Sequence, residues 1–376
     1  MNTKQQLTAM FNASVKAVSG FEATKRALAP LTDYHPDMII GIGKAASGMC
    51  SGALASIDTH CRVLLVTKYH HCQQNMHDNE HVQVIEAAHP IPDQNSLIAG
   101  SVLLDTIDNM PAMSKLLLLV SGGASAVAEL LPEDMDLAQW QKLTDQMISS
   151  GFDIGQINAK RKETSLLKDG KLLANFKGSS VKVLAISDVQ GDDICVIGSG
   201  IGDTKHLAEG INSDISLIGT NEVARKACAS YAQELGFEVI SNTENMYLNI
   251  TQLAPIIASQ LLTASPGVYI FGGEPTVNLP DNPGSGGRNQ SLALLLAQQI
   301  KDRDDITILV AGTDGSDGPT DAAGAIIDGN SANDIRALEQ ALLTADAGSY
   351  LRNTGDIFIT GPTNTNVMDL VIAIIK

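Results

Sequence analysis

The stretch Val268-Tyr-Ile-Phe-Gly-Gly-Glu274 decides the fold, because a short apolar run ends directly in two glycines and a carboxylate. The pattern returns in Ile306-Thr-Ile-Leu-Val-Ala-Gly-Thr-Asp314, and Gly284-Ser-Gly-Gly-Arg-Asn-Gln290 between them is a glycine loop before a helical segment. Apolar runs of this length are typical of buried strands. Glycine lets backbone N–H groups approach a ligand closely, and carboxylates suit a cation. The sequence therefore predicts strands that end at a ligand site.

Similar apolar runs alternate with segments of helical spacing along the whole chain. They lie at residues 38–42, 63–66, 82–87, 116–120, 181–186, 215–218, 268–271, 306–310 and 357–359. Apolar strands separated by helices indicate parallel sheets covered on both faces, with ligands beyond the carboxyl ends of the strands. We expect an α/β fold of two domains, each a mostly parallel sheet flanked by helices. The weak pattern at 198–213 places the boundary between a Rossmann-like domain at 1–210 and a second domain at 211–376.

Composition excludes several classes of protein. A net charge of −17 on 376 residues disfavours nucleic acid and anionic membrane surfaces, whose binding needs an excess of Lys and Arg. The five cysteines are widely spaced without a CxxC pair, which fits a reducing compartment. No signal peptide is evident at residues 1–20. We expect a cytoplasmic enzyme whose anionic ligands are held by local cations or by a bound metal.

The turn Gly41-Ile-Gly-Lys-Ala-Ala46 follows one of these strands and opens a helix. It matches the permissive dinucleotide-binding pattern, but the next strand ends in Lys68 and offers no acid for a ribose. NAD binding is thereby weakened and NADP stays open. Lys44 can instead contact a phosphate or a carboxylate, with a tight turn and a solvated lysine as the plain alternative.

Three further segments of the first half carry polar residues that could bind a ligand. Ser121-Gly-Gly-Ala-Ser125 suits phosphate oxygens, and it lacks the second glycine of a nucleophile elbow. Asp188 follows a strand and could bind Mg²⁺ or take a proton from a hydroxyl. The cations from Asn158 to Lys168 could bind phosphate or form a solvated helix face.

Two more features complete the list of candidates. Arg288 is the only Lys or Arg between Lys226 and Lys301, and its place between glycines and a helix start suits an anion. A group of histidines and a cysteine resembles a metal site, but its spacing fits no zinc pattern: His70, His71, Cys72, His77 and His81.

At these residues the chain resembles the glycerate 2-kinase family whose C-terminal half is the MOFRL domain. The similarity covers nearly the whole chain, and the matching motifs occur in order at Gly41–Ala45, His89–Asp93, Ser121–Ser125, Asn158–Lys168, Ser187–Asp193, Gly272–Val277, Gly286–Gln290, Thr313–Ala325 and Gly361–Leu370. The resemblance implies two α/β domains with the active site in the cleft between them. It also implies transfer of the γ-phosphoryl group of ATP to the 2-hydroxyl of D-glycerate, with Mg²⁺.

The resemblance assigns roles residue by residue. Lys44 and Arg288 would bind the substrate carboxylate and the transferring phosphoryl group, while Asp188, Glu274 and Asp314 would bind the metal and supply the base. The residues expected to bind the nucleotide are Gly43, Ser121, Gly122, Gly123, Ser125, Lys168, Gly286, Gly287 and Asn289. The expected partners are D-glycerate and ATP, without nucleic acid or membrane, and a homodimer stays open.

The chain departs from the family pattern at Ser199–Asp203, where a loop is trimmed, at Lys168-Asp-Gly170, and at Gly361–Asn366. A related hydroxy acid is therefore an alternative substrate. Two other functions are also open. One is an NAD(P)-dependent hydroxypyruvate or tartronate reductase, and the other is a non-catalytic sensor, which would not need the three carboxylates.

Overall fold

The computed structural model describes residues 1–57, 61–150 and 154–376, and the chain divides into two compact units. Residues 19–220 form the first, here called unit N, and residues 1–18 with 221–376 form the second, here called unit C. The sequence-based boundary at 210 therefore falls ten residues early. The helix α1 (Thr3–Val18) belongs to unit C although it begins the chain.

Unit N is built on six strands with helices between most of them. The strands are β1 (Met38–Ile42), β2 (Arg62–Lys68), β3 (Val82–Ala87), β4 (Lys115–Val120), β5 (Ser180–Ile186) and β6 (Asn212–Gly219). The helices are α2 (Gly20–Leu28), α3 (Ala46–Leu54), α4 (Gln74–His77), α5 (Gln94–Asp108), α6 (Ala124–Val127), α7 (Leu137–Ser149) and α8 (Ile154–Thr164). Short 3₁₀ turns lie at Lys171–Leu173 and Ile197–Gly200.

The sheet of unit N is parallel throughout and runs in the order β3-β2-β1-β4-β5-β6. This is the strand order of Rossmann-like folds, so the expected class is confirmed for this unit. β1 lies between β2 and β4, and Ile42 pairs with Val66 on one side and Val120 on the other. The direction of chain progression reverses between β1 and β4, and ligands bind at such a switch point.

Unit C contains a second sheet of six strands, flanked by α1 and five further helices. The strands are β7 (Val239–Glu244), β8 (Gly267–Gly273), β9 (Ile306–Gly312), β10 (Gly324–Asp328), β11 (Ile357–Phe358) and β12 (Asp369–Ile375). The helices are α9 (Asn221–Glu234), α10 (Ile250–Leu262), α11 (Arg288–Gln299), α12 (Ile335–Leu343) and α13 (Ala347–Thr354).

The second sheet is mixed, which corrects the expectation of a mostly parallel one. Its order is β11-β10-β9-β12-β8-β7, and only β7 and β8 pair in parallel. β8 and β9 run in the same direction and are joined through α11, as a parallel unit requires. The last strand, β12, enters between them in the opposite direction and is buried along its whole length. The α/β class itself is confirmed.

Each unit has a hydrophobic core of its own, formed by the sheet and the helices on it. The strands β8 and β9 are buried at every residue, so their apolar character follows from contact on both faces. Burying a side chain such as Leu296 contributes about 1.5–3 kcal/mol. In the described part of the chain, no helix is long and apolar enough to cross a membrane.

Candidate active site

Three of the expected site residues follow adjacent strands in unit N. Lys44 lies two residues after β1, Ser121 directly after β4, and Asp188 two residues after β5. Because β1, β4 and β5 are neighbours and parallel, their carboxyl ends meet at one edge of the sheet. These residues therefore lie beyond the carboxyl ends of parallel strands, as expected from the sequence, and their roles in a site stay predictions.

The turn after β1 is closed by protein hydrogen bonds. The amide of Gly43 donates to Val66 O at 3.0 Å, that of Lys44 to Gly122 O at 2.9 Å, and that of Ala45 to Ser121 Oγ at 3.0 Å. Gly43 packs so closely on Ser121 that a side chain at Gly43 would collide with it. Gly43 and the buried Ser121 thus hold two turns together, with both of their amides donating to protein oxygens, and their expected role with a nucleotide stays a prediction.

The two glycines after Ser121 are covered by functional side chains. A Cβ atom on Gly122 would collide with the carboxylate of Asp188. A Cβ atom on Gly123 would lie 3.0 Å from Cγ of Lys44 and 3.3 Å from Nε2 of His89. These glycines are therefore needed for close approach, and the turn brings Asp188, Lys44 and His89 to one place. We call these three side chains site N.

The electrostatics of site N favour an uncharged histidine and a basic carboxylate. Burial raises the pKa of Asp188, although the charge of Lys44 opposes the rise. Burial and the nearby cations, Lys44 foremost, lower the pKa of His89 to about 4. His89 is therefore neutral at physiological pH and available as a hydrogen-bonding group.

Lys168, expected to bind the nucleotide, is buried in an ion pair, and its role with a nucleotide stays a prediction. Its side chain is 1% exposed, and its ammonium pairs with the fully buried Glu129. Ser165 Oγ also donates to Glu129, at 2.5 Å. A lysine enclosed in this way supports the loop after α8, and a ligand could contact it only after the ion pair breaks. Ser125, by contrast, is partly exposed on α6.

Unit C gathers its polar residues at one edge of the mixed sheet. Glu274 follows β8, Asp314 lies two residues after β9, and Asp369 begins β12. Because β12 is antiparallel to both neighbours, Asp369 pairs in register with Gly273 and Gly312. A Cβ atom on Gly312 would lie 3.3 Å from carboxylate oxygens of both Asp314 and Asp369.

Arg288, the first residue of α11, is held between two acids of this edge. Its Nε and Nη2 donate to the two oxygens of Asp369 at 2.6 and 3.2 Å, and its Nη1 lies 2.9 Å from Oε1 of Glu274. Burial disfavours its charge, but the charges of Asp369 and Glu274 outweigh that effect and raise its pKa. We call Glu274, Arg288, Asp314 and Asp369 site C.

Asp369 is the member of site C that the sequence did not reveal. Its side chain is 1% exposed and forms the two-point contact with Arg288. The signals were its place in the family-like stretch Gly361–Leu370 and an acid at the start of an apolar run. Asp369 can be assigned to the site only once β12 is known to lie between β8 and β9.

The N-terminus of α11 is capped by the protein. Asp317 accepts from the amides of Asn289 at 3.0 Å and of Gln290 at 2.7 Å. Its carboxylate also fills the space where Gly287 would carry a side chain. Asn289 is buried and its amide is occupied, while Gly286 (φ +150°) adopts a conformation that favours glycine. The loop Gly286–Asn289 therefore shapes site C, the amides of Asn289 and Gln290 are occupied by Asp317, and the expected role of Gly286, Gly287 and Asn289 with a nucleotide stays a prediction.

The expected metal ligands do not form a complete protein cage. Within the described residues, no group of three or more His, Cys, Asp or Glu side chains is arranged to bind a metal ion. Glu274 is engaged by Arg288, and Asp314 accepts from Ser316 N at 2.9 Å through Oδ1. Such a donor set does not exclude Mg²⁺, which in nucleotide sites often takes one or two carboxylates with phosphates and waters.

Comparisons with known proteins agree over nearly the whole chain. Residues 6–209 match a domain of unknown function, DUF4147, and residues 267–369 match the MOFRL family. A D-glycerate 2-kinase from Thermotoga maritima is 33% identical, with 96% of each chain aligned. The chain belongs to the glycerate 2-kinase family. The expected family is thereby confirmed, and with it the expectation of an enzyme of the kinase class.

Two further relatives of the family bear on structure and function. A crystal structure of a glycerate kinase from Thermotoga maritima superimposes with a TM-score of 0.89 at 32% identity, covering 99% of both chains. A protein of Agrobacterium vitis, provisionally named hydroxypyruvate reductase, is 30% identical over 89% of this chain and 97% of its own. The first confirms the α/β architecture of the family for this chain. The second carries the name of the reductase activity that was left open by the sequence.

Proposed function

We propose that this chain transfers the γ-phosphoryl group of ATP to the 2-hydroxyl of D-glycerate and releases 2-phosphoglycerate. The observation that carries the proposal is the alignment of 96% of the chain with the D-glycerate 2-kinase of Thermotoga maritima. Phosphoryl transfer depends mainly on positioning and on neutralising charge. Sites N and C each supply cations and carboxylates for these tasks.

Arg288 is the proposed anchor of the substrate carboxylate. A guanidinium has five N–H groups, and Asp369 and Glu274 together occupy three of them. Two N–H groups have no partner among the residues that the structure describes, and they are held in a fixed orientation by the two carboxylates. An anchor of this kind loses little side-chain entropy when it binds a planar carboxylate.

Asp188 is the proposed base for the 2-hydroxyl. A base works best when its pKa lies near the working pH, and burial moves the pKa of Asp188 in that direction. Its carboxylate lies directly on Gly122, so its position is fixed by backbone. Lys44, close enough to act on the charge of Asp188, is the proposed partner of the transferring phosphoryl group.

ATP is the proposed phosphoryl donor, and Mg²⁺ would neutralise part of the charge on its phosphates when bound. Asp314 is the residue that fits as its protein ligand, because Glu274 is already paired with Arg288. Asp314 keeps its own conformation through the hydrogen bond from Ser316 to Oδ1. In the described structure, no hydrogen bond to Oδ2 competes for that oxygen.

The turn after β1 argues against the reductase. A dinucleotide-binding fingerprint holds pyrophosphate with free amides at the start of the helix. Here the amides of Gly43, Lys44 and Ala45 all donate to protein oxygens. The strand order is that of a dinucleotide fold, but the turn that should contact the cofactor is already satisfied.

We further propose that the enzyme works in the cytoplasm. All five cysteines are free thiols, and three of them are buried. Unpaired cysteines of this number suit a reducing compartment.

The decisive assay incubates the purified chain with ATP, Mg²⁺ and D-glycerate and measures ADP release. Phosphorus NMR of the product then locates the phosphate, because a 2-phosphate couples to one carbon-bound proton and a 3-phosphate to two. A doublet supports the proposal. A triplet, or ADP release that does not depend on glycerate, refutes it, and oxidation of NADH with hydroxypyruvate would favour the reductase.

Variants of Arg288 test the anchor. Arg288→Lys keeps the charge and loses the two-point geometry, and Arg288→Ala loses both. We expect Arg288→Ala to lower kcat/KM for glycerate at least about tenfold, or 1.4 kcal/mol. Arg336→Ala is the matched control, because it removes one exposed arginine from α12 of the same unit. Equal rates in folded Arg288→Ala and Arg336→Ala would remove Arg288 from the site.

A further inference from the structure

Unit N carries a cluster of basic residues, and the proposed reaction uses only Lys44 among them. Lys44 follows β1, Lys68 ends β2, and His89 lies two residues after β3. Because these three strands are adjacent and parallel, the three side chains start from the same edge of the sheet. Arg161 joins them from α8.

Contacts and charges show that the cluster converges on His89. Its ring and the stem of Lys44 lie against the same glycine, Gly123. Burial is the largest cause of the lowered pKa of His89. The charges of Lys44, Lys68 and Arg161 are close enough to lower it further. The backbone N–H of His71 donates to Lys68 O at 3.0 Å, and burial with the charges of Lys68 and Lys44 lowers the pKa of its ring. Its buried Nδ1 has no hydrogen-bond partner in the described structure.

The charge of the cluster is poorly compensated. Across residues 1–57, 61–150 and 154–376, none of Lys44, Lys68 and Arg161 forms an ion pair. Glu129, the acid near Arg161, is already paired with Lys168. The remaining nearby acids are Glu86, beside His71, and Asp188, beside Lys44. Three cations around one histidine, without ion pairs among the described residues, would be stabilised by a bound anion.

We propose that Lys68, Arg161 and His89, together with Lys44, form a subsite for a multiply charged phosphate group. A single carboxylate would neutralise only one of the three cations, whereas a polyphosphate or phosphate ester brings two or more negative charges. Neutral His71 and His89 add hydrogen bonds without adding charge. The inference rests on the proposed kinase, which offers two sources of this chemistry, the phosphates of the nucleotide and the phosphate of the product.

Binding to the full-length chain tests the subsite without turnover. The probes are tripolyphosphate, ADP and 2-phosphoglycerate, titrated by calorimetry into the wild type, Lys68→Gln and Arg161→Gln. Lys177→Gln is the matched control, because it removes an exposed lysine of the same unit and changes the net charge equally. We expect the affinity for tripolyphosphate to fall about tenfold or more in each test variant and to change less than about twofold in the control.

The two natural probes identify the source. If the variants bind ADP more weakly and 2-phosphoglycerate as before, the subsite belongs to the nucleotide. If they bind 2-phosphoglycerate more weakly and ADP as before, it belongs to the product. Unchanged affinity for all three probes in a folded variant overturns the inference, as does an equal loss in Lys177→Gln. Arg161→Lys, which keeps the charge, should retain most of the affinity even if Arg161→Gln proves unstable. Glycerate-dependent ADP release by the wild type is measured in parallel, so that failure of the kinase proposal is seen separately.

Discussion

Asp369→Asn is the substitution that tests most directly how site C is built. It keeps the size of the side chain and removes the charge that faces Arg288 at 2.6 and 3.2 Å. An amide offers one acceptor where the carboxylate offered two, and its NH₂ group would face the N–H groups of Arg288. The guanidinium then keeps only Glu274, which is exposed and less able to fix it.

The expected cost follows from the burial of the pair. Removing one partner of a fully buried ion pair costs about 3–5 kcal/mol, because the other charge is left uncompensated. Arg288 is one-third exposed and retains Glu274, so we expect a smaller loss in the free energy of unfolding, about 2–3 kcal/mol. With its anchor free to turn, the enzyme should lose about 10–100-fold in kcat/KM for glycerate.

A double-mutant cycle separates this contact from general damage. Asp369→Asn, Arg288→Gln and the double variant are unfolded in urea at about pH 8, and their free energies of unfolding are compared. We expect a coupling energy of about 2 kcal/mol, and none when Arg336→Gln replaces Arg288→Gln. KM for glycerate should rise while KM for ATP stays constant. A coupling energy below about 0.5 kcal/mol, or an equal rise of both KM values, would refute the positioning role.

Three further predictions concern neighbouring groups. Asp317 has a pKa of about 6, so the stability it gives when protonated is lost as pH rises through 6. The free energy of unfolding in urea should fall by about 3 kcal/mol more in the wild type than in Asp317→Asn between about pH 4 and pH 7. A difference between the two proteins that does not change with pH contradicts this prediction. Lys168→Met should lower the free energy of unfolding by about 3–5 kcal/mol by isolating Glu129, and adding Glu129→Leu should restore most of it. Gly122→Ala should displace Asp188 and lower kcat about tenfold or more with a small change in melting temperature, whereas unchanged turnover would show that Asp188 is not the base.

Most of the fold of unit N could be predicted from the sequence because β1 to β5 are continuous and each is followed by a crossover, whereas β6 was expected in the second domain. The segments expected at residues 38–42 and 116–120 match β1 and β4 closely. Parallel strands place their carboxyl ends together by topology alone, so the approach of Lys44 to Asp188 followed from the order of the elements. No tertiary contact had to be known in advance.

The sheet of unit C could not be predicted in the same way. β12 contains Leu370–Ile375, an apolar run that looks the same whether its neighbours are parallel or antiparallel. Its direction and its place between β8 and β9 are set by long-range pairing, which periodicity does not encode. Asp369 was missed for that reason, and the buried pairing of Lys168 with Glu129 was missed because burial of a lysine depends on a distant partner.

The two sites hold their cations by opposite means, and this explains how an acidic chain can handle anionic ligands. In site C, Arg288 is fixed by Asp369 and Glu274, so its charge is compensated before a ligand binds. Its contribution is therefore to orient the ligand. In site N, Lys44 has no ion pair among the described residues, so its charge is available to an incoming phosphate. A substrate carboxylate, which needs planar two-point contact, suits the first, and a migrating phosphoryl group, whose charge must be neutralised, suits the second.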